Sequence, residues 1–311
     1  MGKGERVSLL VQFLVFPGML FTAGAGLVIS WVDRKLTARV QMRKGPPLLQ
    51  PFFDVAKLMV KDTCVPEGCP GWLFLSSPII GIAGVTLASM ILCQTMWKPE
   101  ATFSGDLIVV MYLLAFPSLA VILGSFTSRN PLASLGGSRE MKLVMAYELP
   151  FILTACVPII WVESIQLGEI LSAPSVDRTV SGALALVVSA IAMQARLTRV
   201  PFDIPEAESE LGSGVLIEYS GPPLAFYKLS QAMMLFTGPM YLLTLYGGGL
   251  SFSQGWVTAG LGLLKLVGVI VLIVLIRNTA PRLRIDQAMK LLWGPVTLGA
   301  ILAVLLAWGG I

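Results

Sequence analysis

The chain has 311 residues, 55% hydrophobic and only 13% charged, with a mean hydropathy of +0.80. That composition is that of an integral membrane protein. A net charge of +4 gives no argument for nucleic acid. The complete lack of histidine removes His-ligated haem, His proton relays and His metal sites together.

The expected fold is all-α: a single membrane domain over residues 1–311, with about eight transmembrane helices and a short amphipathic surface helix. Apolar runs able to cross roughly 30 Å of hydrocarbon lie near 7–31, 76–97, 107–128, 141–162, 180–198, 223–246, 256–276 and 291–309. The first is too long for a signal-peptide core and lacks a small-residue cleavage site, so it reads as a retained helix. The cations between these runs are unevenly shared. Arg34, Lys35, Arg39, Arg43, Lys44, Lys57 and Lys61 fill the first loop, and Arg129, Arg139 and Lys142 mark the third. Arg196, Arg199 and Lys228 flank the fifth, and Arg277, Arg282, Arg284 and Lys290 the seventh. The alternate side holds only Lys3, Arg6, Lys98 and Arg178. The positive-inside rule then makes the loops at about 32–75, 129–140, 199–222 and 277–290 cytoplasmic and puts both termini outside.

After the first helix, Gly45-Pro46-Pro47 ends one element and Pro51 opens another. Phe52, Val55, Leu58 and Met59 fall on one face of the next three turns, with Asp54, Lys57 and Lys61 off it. This amphipathic helix is either a lipid-interface element or a lid or docking surface for a soluble partner. Cys64 and Cys69 lie five apart in a loop, while Cys93 and Cys156 lie on membrane helices. The four make no iron–sulfur ligand set; two ordinary thiols at 64 and 69 are the simpler reading, a disulfide or soft-metal pair the other. Ser138-Arg139-Glu140 is expected to start the fourth helix. Glu148 then sits about two turns inside it, where a carboxylate costs roughly 2–3.5 kcal/mol to insert. It must face protein or water, with Arg139 or Arg199 as its expected partner. The 163–179 segment reads as an ordinary external connection.

Residues 199–221, RVPFDIPEAESELGSGVLIEYSG, are the most polar stretch: Asp203, Glu206, Glu208, Glu210 and Glu218 against a single Arg199. Pro205 suits a first helical position, and Asp203 three residues before Glu206 resembles a capping box. On that reading Glu206 and Glu210 share a face, and Glu208 points away. The stretch is either an acidic helix start in a wet loop or a functional cluster. Lys265, near the middle of the seventh apolar run, is a candidate counter-ion for Glu148 or Glu218, or a proton-carrying site. Arg282, Arg284 and Asp286 are either plain topology charges or groups placed to face the acidic stretch. The chain shows no two related halves of the kind that many secondary transporters carry, although a stand-alone transporter remains an alternative reading.

Four motifs in order, DRKLTARVQMRKGP with LLQPFFDVAKL, SRE with AYE, RVPFDIPEAESEL with EYSG, and NTAPRLRIDQ, resemble the H subunit (mitochondrial subunit 1) of respiratory complex I across nearly the whole chain. Complex I members usually have Glu where Asp33 stands and a longer first loop than GPPLLQP. The short form is similar to that of membrane-bound energy-conserving nickel–iron hydrogenases and related sulfane reductases, and it puts quinone binding in doubt. The resemblance implies a membrane anchor with no catalytic residue, metal or cofactor of its own. Its partners would be an iron–sulfur small subunit, a hydrogenase-like large subunit (with a nickel–iron centre in the hydrogenase form) and antiporter-like membrane subunits. It implies an ion path through Asp203, Glu206, Glu208, Glu210, Glu218 and Glu148, which Lys265 joins on the charge reading above. Tuning or docking falls to Asp33, Arg34, Arg39, Arg43, Asp54, Lys57, Arg139, Arg199, Arg282, Arg284 and Asp286. Location in the plasma membrane is implied, with a quinone-binding complex I subunit as the alternative function.

Overall fold

The computed structural model describes residues 11–173, 179–212, 214–250 and 256–310, apart from the side chains of residues 101, 208, 209 and 256–258. Every regular element among them is helical. In chain order these are α1 (Met19–Val40), α2 (Gln50–Val60), α3 (Gly71–Trp97), α4 (Asp106–Thr127), α5 (Pro131–Val162) and α6 (Leu167–Ser172). There follow α7 (Val180–Arg196), α8 (Glu208–Leu211), α9 (Gly221–Tyr246), α10 (Trp256–Thr279), α11 (Ile285–Leu291) and α12 (Thr297–Trp308), with a π-helical turn, Leu292–Val296, joining the last two.

Each of the eight predicted spans is helical over most of its described residues, the first being interrupted at 15–18. Six stretches, Val11–Val40, Gly71–Trp97, Asp106–Thr127, Pro131–Val162, Ala259–Thr279 and Ile285–Trp308, are long and apolar enough to cross a membrane. α7 is a shorter apolar helix. α9 has 26 residues but dilutes its apolar run with Ser230, Gln231, Thr237 and Thr244. Three of those four, all but Gln231, are buried, and the Thr237 and Thr244 hydroxyls bond back to the carbonyls of Met233 and Met240. Elsewhere large apolar side chains stay exposed, as a lipid-facing surface requires: Leu264 at 69%, Leu298 at 65% and Trp72 at 75%. Lys3, Arg6 and Arg178, on which the external side of the topology rests, lie outside the described residues.

Several boundaries differ from expectation for identifiable reasons. α5 starts at Pro131, seven residues before Ser138, because Asn130 Oδ1 accepts the Leu132 N–H at 2.8 Å and Pro131 occupies the first turn. Its 32 residues, at about 1.5 Å each, reach about 48 Å, well beyond a hydrocarbon core of about 30 Å. The 163–179 segment is more than a connection: it holds the largely buried α6, whose Leu167 N–H donates to Asp106 Oδ1 at 2.8 Å. α11 begins at Ile285, where Gln287 Oε1 accepts the Arg284 N–H and Asp286 lies in the first turn. On α2, Phe52, Val55 and Leu58 form the partly covered face as predicted, but Met59 is 45% exposed and falls off it.

The chain divides into two compact units, Met1–Ile91 with Met111–Glu140 and Pro205–Thr237, and Leu92–Val110 with Met141–Ile204 and Gly238–Ile311. The division passes through the acidic stretch. In the first unit, Tyr219 stacks on Phe74 with ring centroids 4.1 Å apart, a contact worth about 0.5–1.5 kcal/mol beyond the area it buries. The Ser77 hydroxyl lies 3.0 Å from Tyr219 Oη and 2.8 Å from Tyr227 Oη, and Tyr227 donates to the Ala120 carbonyl. Gly124 faces this knot; a Cβ there would stand 2.3 Å from Tyr227 Oη and 2.4 Å from Tyr219 Oη. In the second unit, Leu143, Tyr147, Val188, Ala195, Phe202, Ile204, Leu292 and Ala300 share one core, and the Leu283 N–H donates to the Pro201 carbonyl at 3.0 Å.

Candidate functional site

Each unit fastens its own set of carboxylates. In the first, the helical turn α8 starts at Glu208, not Pro205, so Glu206 precedes it and the predicted shared face with Glu210 does not form. The helix start at Pro205 that a capping box from Asp203 requires does not form, and the Asp203 carboxylate accepts from Arg282. Glu206 accepts a hydrogen bond from Gln231 Nε2 and lies 3.7 Å from Lys228 Nζ. Arg139 Nη1 donates to Glu210 at 2.8 Å, and Asn130 Nδ2 donates to Glu218. The chain is pressed tightly here: Gly214, at φ +53°, would put a Cβ 1.9 Å from the Pro205 carbonyl oxygen. The side chain of Glu208 lies outside the described residues.

The first unit also holds Asp54, which receives Arg34 Nη1 at 2.7 Å and Gln50 Nε2 at 3.0 Å. Partial burial pushes its carboxyl up, but these hydrogen bonds and the charges of Arg34 and Lys57 outweigh it and hold it below the usual carboxylate range. Asp33 is buried, while Arg39 and Arg43 are exposed and line, with Lys35 and Lys44, one open basic cavity. Glu140 is an addition the sequence reading passed over as a helix-start residue. It is 1% exposed, and one of its carboxyl oxygens has no hydrogen-bond partner. Asn130-Pro131 was the missed signal: a helix starting there carries Glu140 more than two turns in.

In the second unit, Arg282 Nη2 donates to Asp203 at 2.6 Å. Of the two readings for the last loop, Arg282 therefore faces the acidic stretch, while Arg284 and Asp286 are exposed. The guanidinium paired with Glu148 is that of Arg196, at 2.9 Å, in place of the expected Arg139 or Arg199. Arg196 is 3% exposed and stacks over Phe151 at 4.1 Å and Tyr147 at 5.2 Å. It closes the last turn of α7, where a cation suits the negative end of the helix. Arg199 sits beyond that turn, half-buried. Lys265 Nζ donates to the Gly247 carbonyl at 2.9 Å and is exposed. Gly247 follows the end of α9, so the ammonium meets a carbonyl that the helix leaves without an internal donor.

The four cysteines are free thiols. Among the described residues no group of three or more Cys, Asp or Glu side chains is arranged to hold a metal ion. What the arrangement offers is acid–base chemistry: carboxylates tied to arginines, to one lysine and to side-chain amides.

The NADH dehydrogenase family profile matches residues 11–308. The chain belongs to that family. The H subunit of NADH-quinone oxidoreductase from Geobacillus thermodenitrificans (strain NG80-2) is 33% identical over 276 residues, 84% of this chain and 82% of the relative. Its counterpart from Syntrophotalea carbinolica (strain DSM 2380 / NBRC 103641 / GraBd1) is 32% identical over 296 residues, 89% and 88% of the two chains. Among solved structures, a chain of the membrane-bound sulfane sulfur reductase, an archaeal respiratory membrane complex, matches with a TM-score of 0.85 and 25% identity, over 96% of this chain and 99% of that one. This family member is thus a multi-pass membrane subunit of a respiratory complex.

Proposed function

We propose that the chain anchors a peripheral redox arm to the membrane and couples electron transfer in that arm to H⁺ or Na⁺ translocation. The observation that carries this reading is the built acidic stretch. Asp203, Glu206, Glu210 and Glu218 are each fastened to a residue distant in sequence or on another element. Acids so fixed respond to a charge placed nearby by exchanging protons or partners. On this reading Glu148 and Lys265 belong to the ion path with the acids of the stretch, Glu208 among them. Asp33, Arg34, Arg39, Arg43, Asp54, Lys57, Arg139, Arg199, Arg282, Arg284 and Asp286 dock the arm or tune the path. The electron carriers reside in partners: an iron–sulfur small subunit and a hydrogenase-like large subunit, with antiporter-like subunits beside this chain in the plasma membrane. The cation-rich loops face the cytoplasm, with both termini outside.

The sulfane-reductase or hydrogenase form is favoured over the quinone form by the short first loop. Only 41–49 separate α1 from α2, and the Trp31 indole N–H donates to the Pro46 carbonyl at 3.1 Å across that link. The quinone form draws support from the relatives, which are named as NADH-quinone oxidoreductase subunits. Purification of the intact complex in mild detergent, with subunit identification and metal analysis, tests the proposal. A large and an iron–sulfur subunit co-purifying, with nickel and iron for a hydrogenase or iron and sulfide production for a sulfane reductase, is the expected outcome. Bound quinone would establish the second reading. The chain recovered without any redox partner would overturn both.

A further inference from the structure

The link after α1 folds back on the helix that precedes it. α1 ends in a Schellman turn: Met42 takes φ +56°, its N–H donates to the Arg39 carbonyl at 3.1 Å, and the Arg43 N–H donates to the Ala38 carbonyl at 2.7 Å. The chain then returns along α1. A Cβ on Gly45 would stand 2.8 Å from Lys35 Cδ, and the Pro46 carbonyl accepts the Trp31 indole N–H. Lys35 and Arg39 from the helix, with Arg43 and Lys44 from the returning chain, therefore ring one open cavity of about 640 Å³, completed by Met42 and Gly45. That volume is within the range of small-molecule sites. Arg34, next in sequence, is paired with Asp54, whereas among the described residues none of these four cations is paired with an acid.

Trp31 sets the depth of this cavity. The Lys35 ammonium lies 5.7 Å from its ring centroid, and a tryptophan near the end of an apolar span belongs at the headgroup level. Lys35 and Arg39 follow it by about 6 and 12 Å along the helix, across the polar layer that borders the hydrocarbon. Four residues after Gly45 a second apolar row begins. Leu49, Phe53, Ala56 and Val60 recur at helical spacing and are all exposed, Val60 at 87%, with exposed Lys57 and Lys61 beside them. We propose that the cavity binds the phosphate of an anionic phospholipid, whose acyl chains lie along this row of α2. One molecule then supplies both an anion for the four cations and hydrocarbon for the apolar row. An acidic segment of a docked protein, or a free phosphate, supplies the first and leaves the second in water. The site needs the membrane but neither the redox arm nor the ion path, so it stands or falls apart from the function proposed above.

The test uses the purified complex in phosphatidylcholine nanodiscs doped with a photoactivatable phosphatidylglycerol, the labelled peptides being mapped by mass spectrometry. Saturable labelling between residues 35 and 61 is expected, displaced by unlabelled phosphatidylglycerol and not by phosphatidylcholine. It should fall about fivefold in Arg39→Gln or Arg43→Gln and about 30-fold in the double variant. Lys290→Gln, which removes an exposed cation elsewhere, should leave it unchanged. Competition in the wild type keeps the inference testable if the variants assemble poorly. Labelling that does not saturate, or that phosphatidylcholine displaces equally, marks ordinary boundary lipid and overturns the inference. Displacement by inorganic phosphate as effective as that by phosphatidylglycerol marks an ion site and overturns it too. So does an unlabelled wild type in which p-benzoylphenylalanine in place of Met42 cross-links to a partner subunit, which marks a protein-docking surface.

Discussion

In the second unit the acids meet arginines: Asp203 with Arg282, and Glu148 with a buried Arg196 sandwiched against Phe151. In the first, Glu218 meets the neutral amide of Asn130, Glu206 meets the Gln231 amide with the Lys228 ammonium 3.7 Å away, and Glu210 and Asp54 each meet an arginine. A guanidinium never gives up its charge and locks a carboxylate as its counter-ion. An amide donates without charge and holds the acid in place while leaving its protonation open. The two pairs of the second unit are therefore fixed as ion pairs, whereas the first unit mixes ion pairs with an acid, Glu218, that an amide holds.

The strongest way to break this contrast is Arg196→Leu. It strips Glu148 of its partner and empties the space over Phe151, and removing one member of a buried pair costs about 3–5 kcal/mol. The variant is expected to lower the thermal stability of the assembled complex sharply, and adding Glu148→Gln should recover part of the loss. No recovery in the double variant would mean that the pairing is not what Arg196 supplies. Gly124→Ala should come next, at about 1–3 kcal/mol, because the new methyl meets the Tyr219 and Tyr227 hydroxyls. It disturbs the tyrosine knot next in sequence to Glu218 and not an acid itself, so it should destabilise the complex and leave the pH profile of ion uptake in place. Asn130→Ala removes a helix cap and the donor to Glu218 together, at about 1 kcal/mol for the cap. Its stability loss should come with an altered pH profile, which Gly124→Ala lacks.

How much of this was legible in the sequence depends on range. The eight helical stretches follow from apolar runs, which need only their own residues to be read. Where a polar segment joins an apolar one, the reading failed. Ser138-Arg139-Glu140 looks like a helix start, yet the Asn130-Pro131 start puts it about two turns inside the helix. Asp203 and Glu206 look like a cap, yet their side chains are spent on Arg282, Gln231 and Lys228. The acidic stretch was visible as a cluster of charge, but the partner of each acid lies up to 88 residues away. Arg196 and Arg199 are alike on paper; only the end of α7 decides which one turns inward. Glu140 was hidden by the same misplaced helix start.

The smaller predictions sharpen the contrast at its exposed edge. Arg282→Ala breaks a pair whose arginine side chain is 46% exposed, so the expected cost is below about 1 kcal/mol and shrinks with added salt. A large salt-independent loss would show Arg282 to be structural in another way. Arg34→Gln acts on Asp54, whose carboxyl is held below the ordinary range. A depressed folded-state value means that its stabilising contribution is present above the ordinary carboxylate range and is lost as pH falls through the lowered value. Wild type and Arg34→Gln should therefore differ slightly in thermal stability at neutral pH and converge in acid. A difference that widens in acid would reverse the assignment.

The early start of α5 has a mechanical consequence. A flexible loop at 131–140 would absorb any push from a docked protein within its own bending. A helix cannot: its residues advance together, so a tilt at one end becomes a sweep at the other. Arg139 and Glu140 ride on such a rod, more than two turns in from Pro131. Within the first unit, a push applied at Pro131 thus arrives at Glu140 as displacement and is not lost in bending.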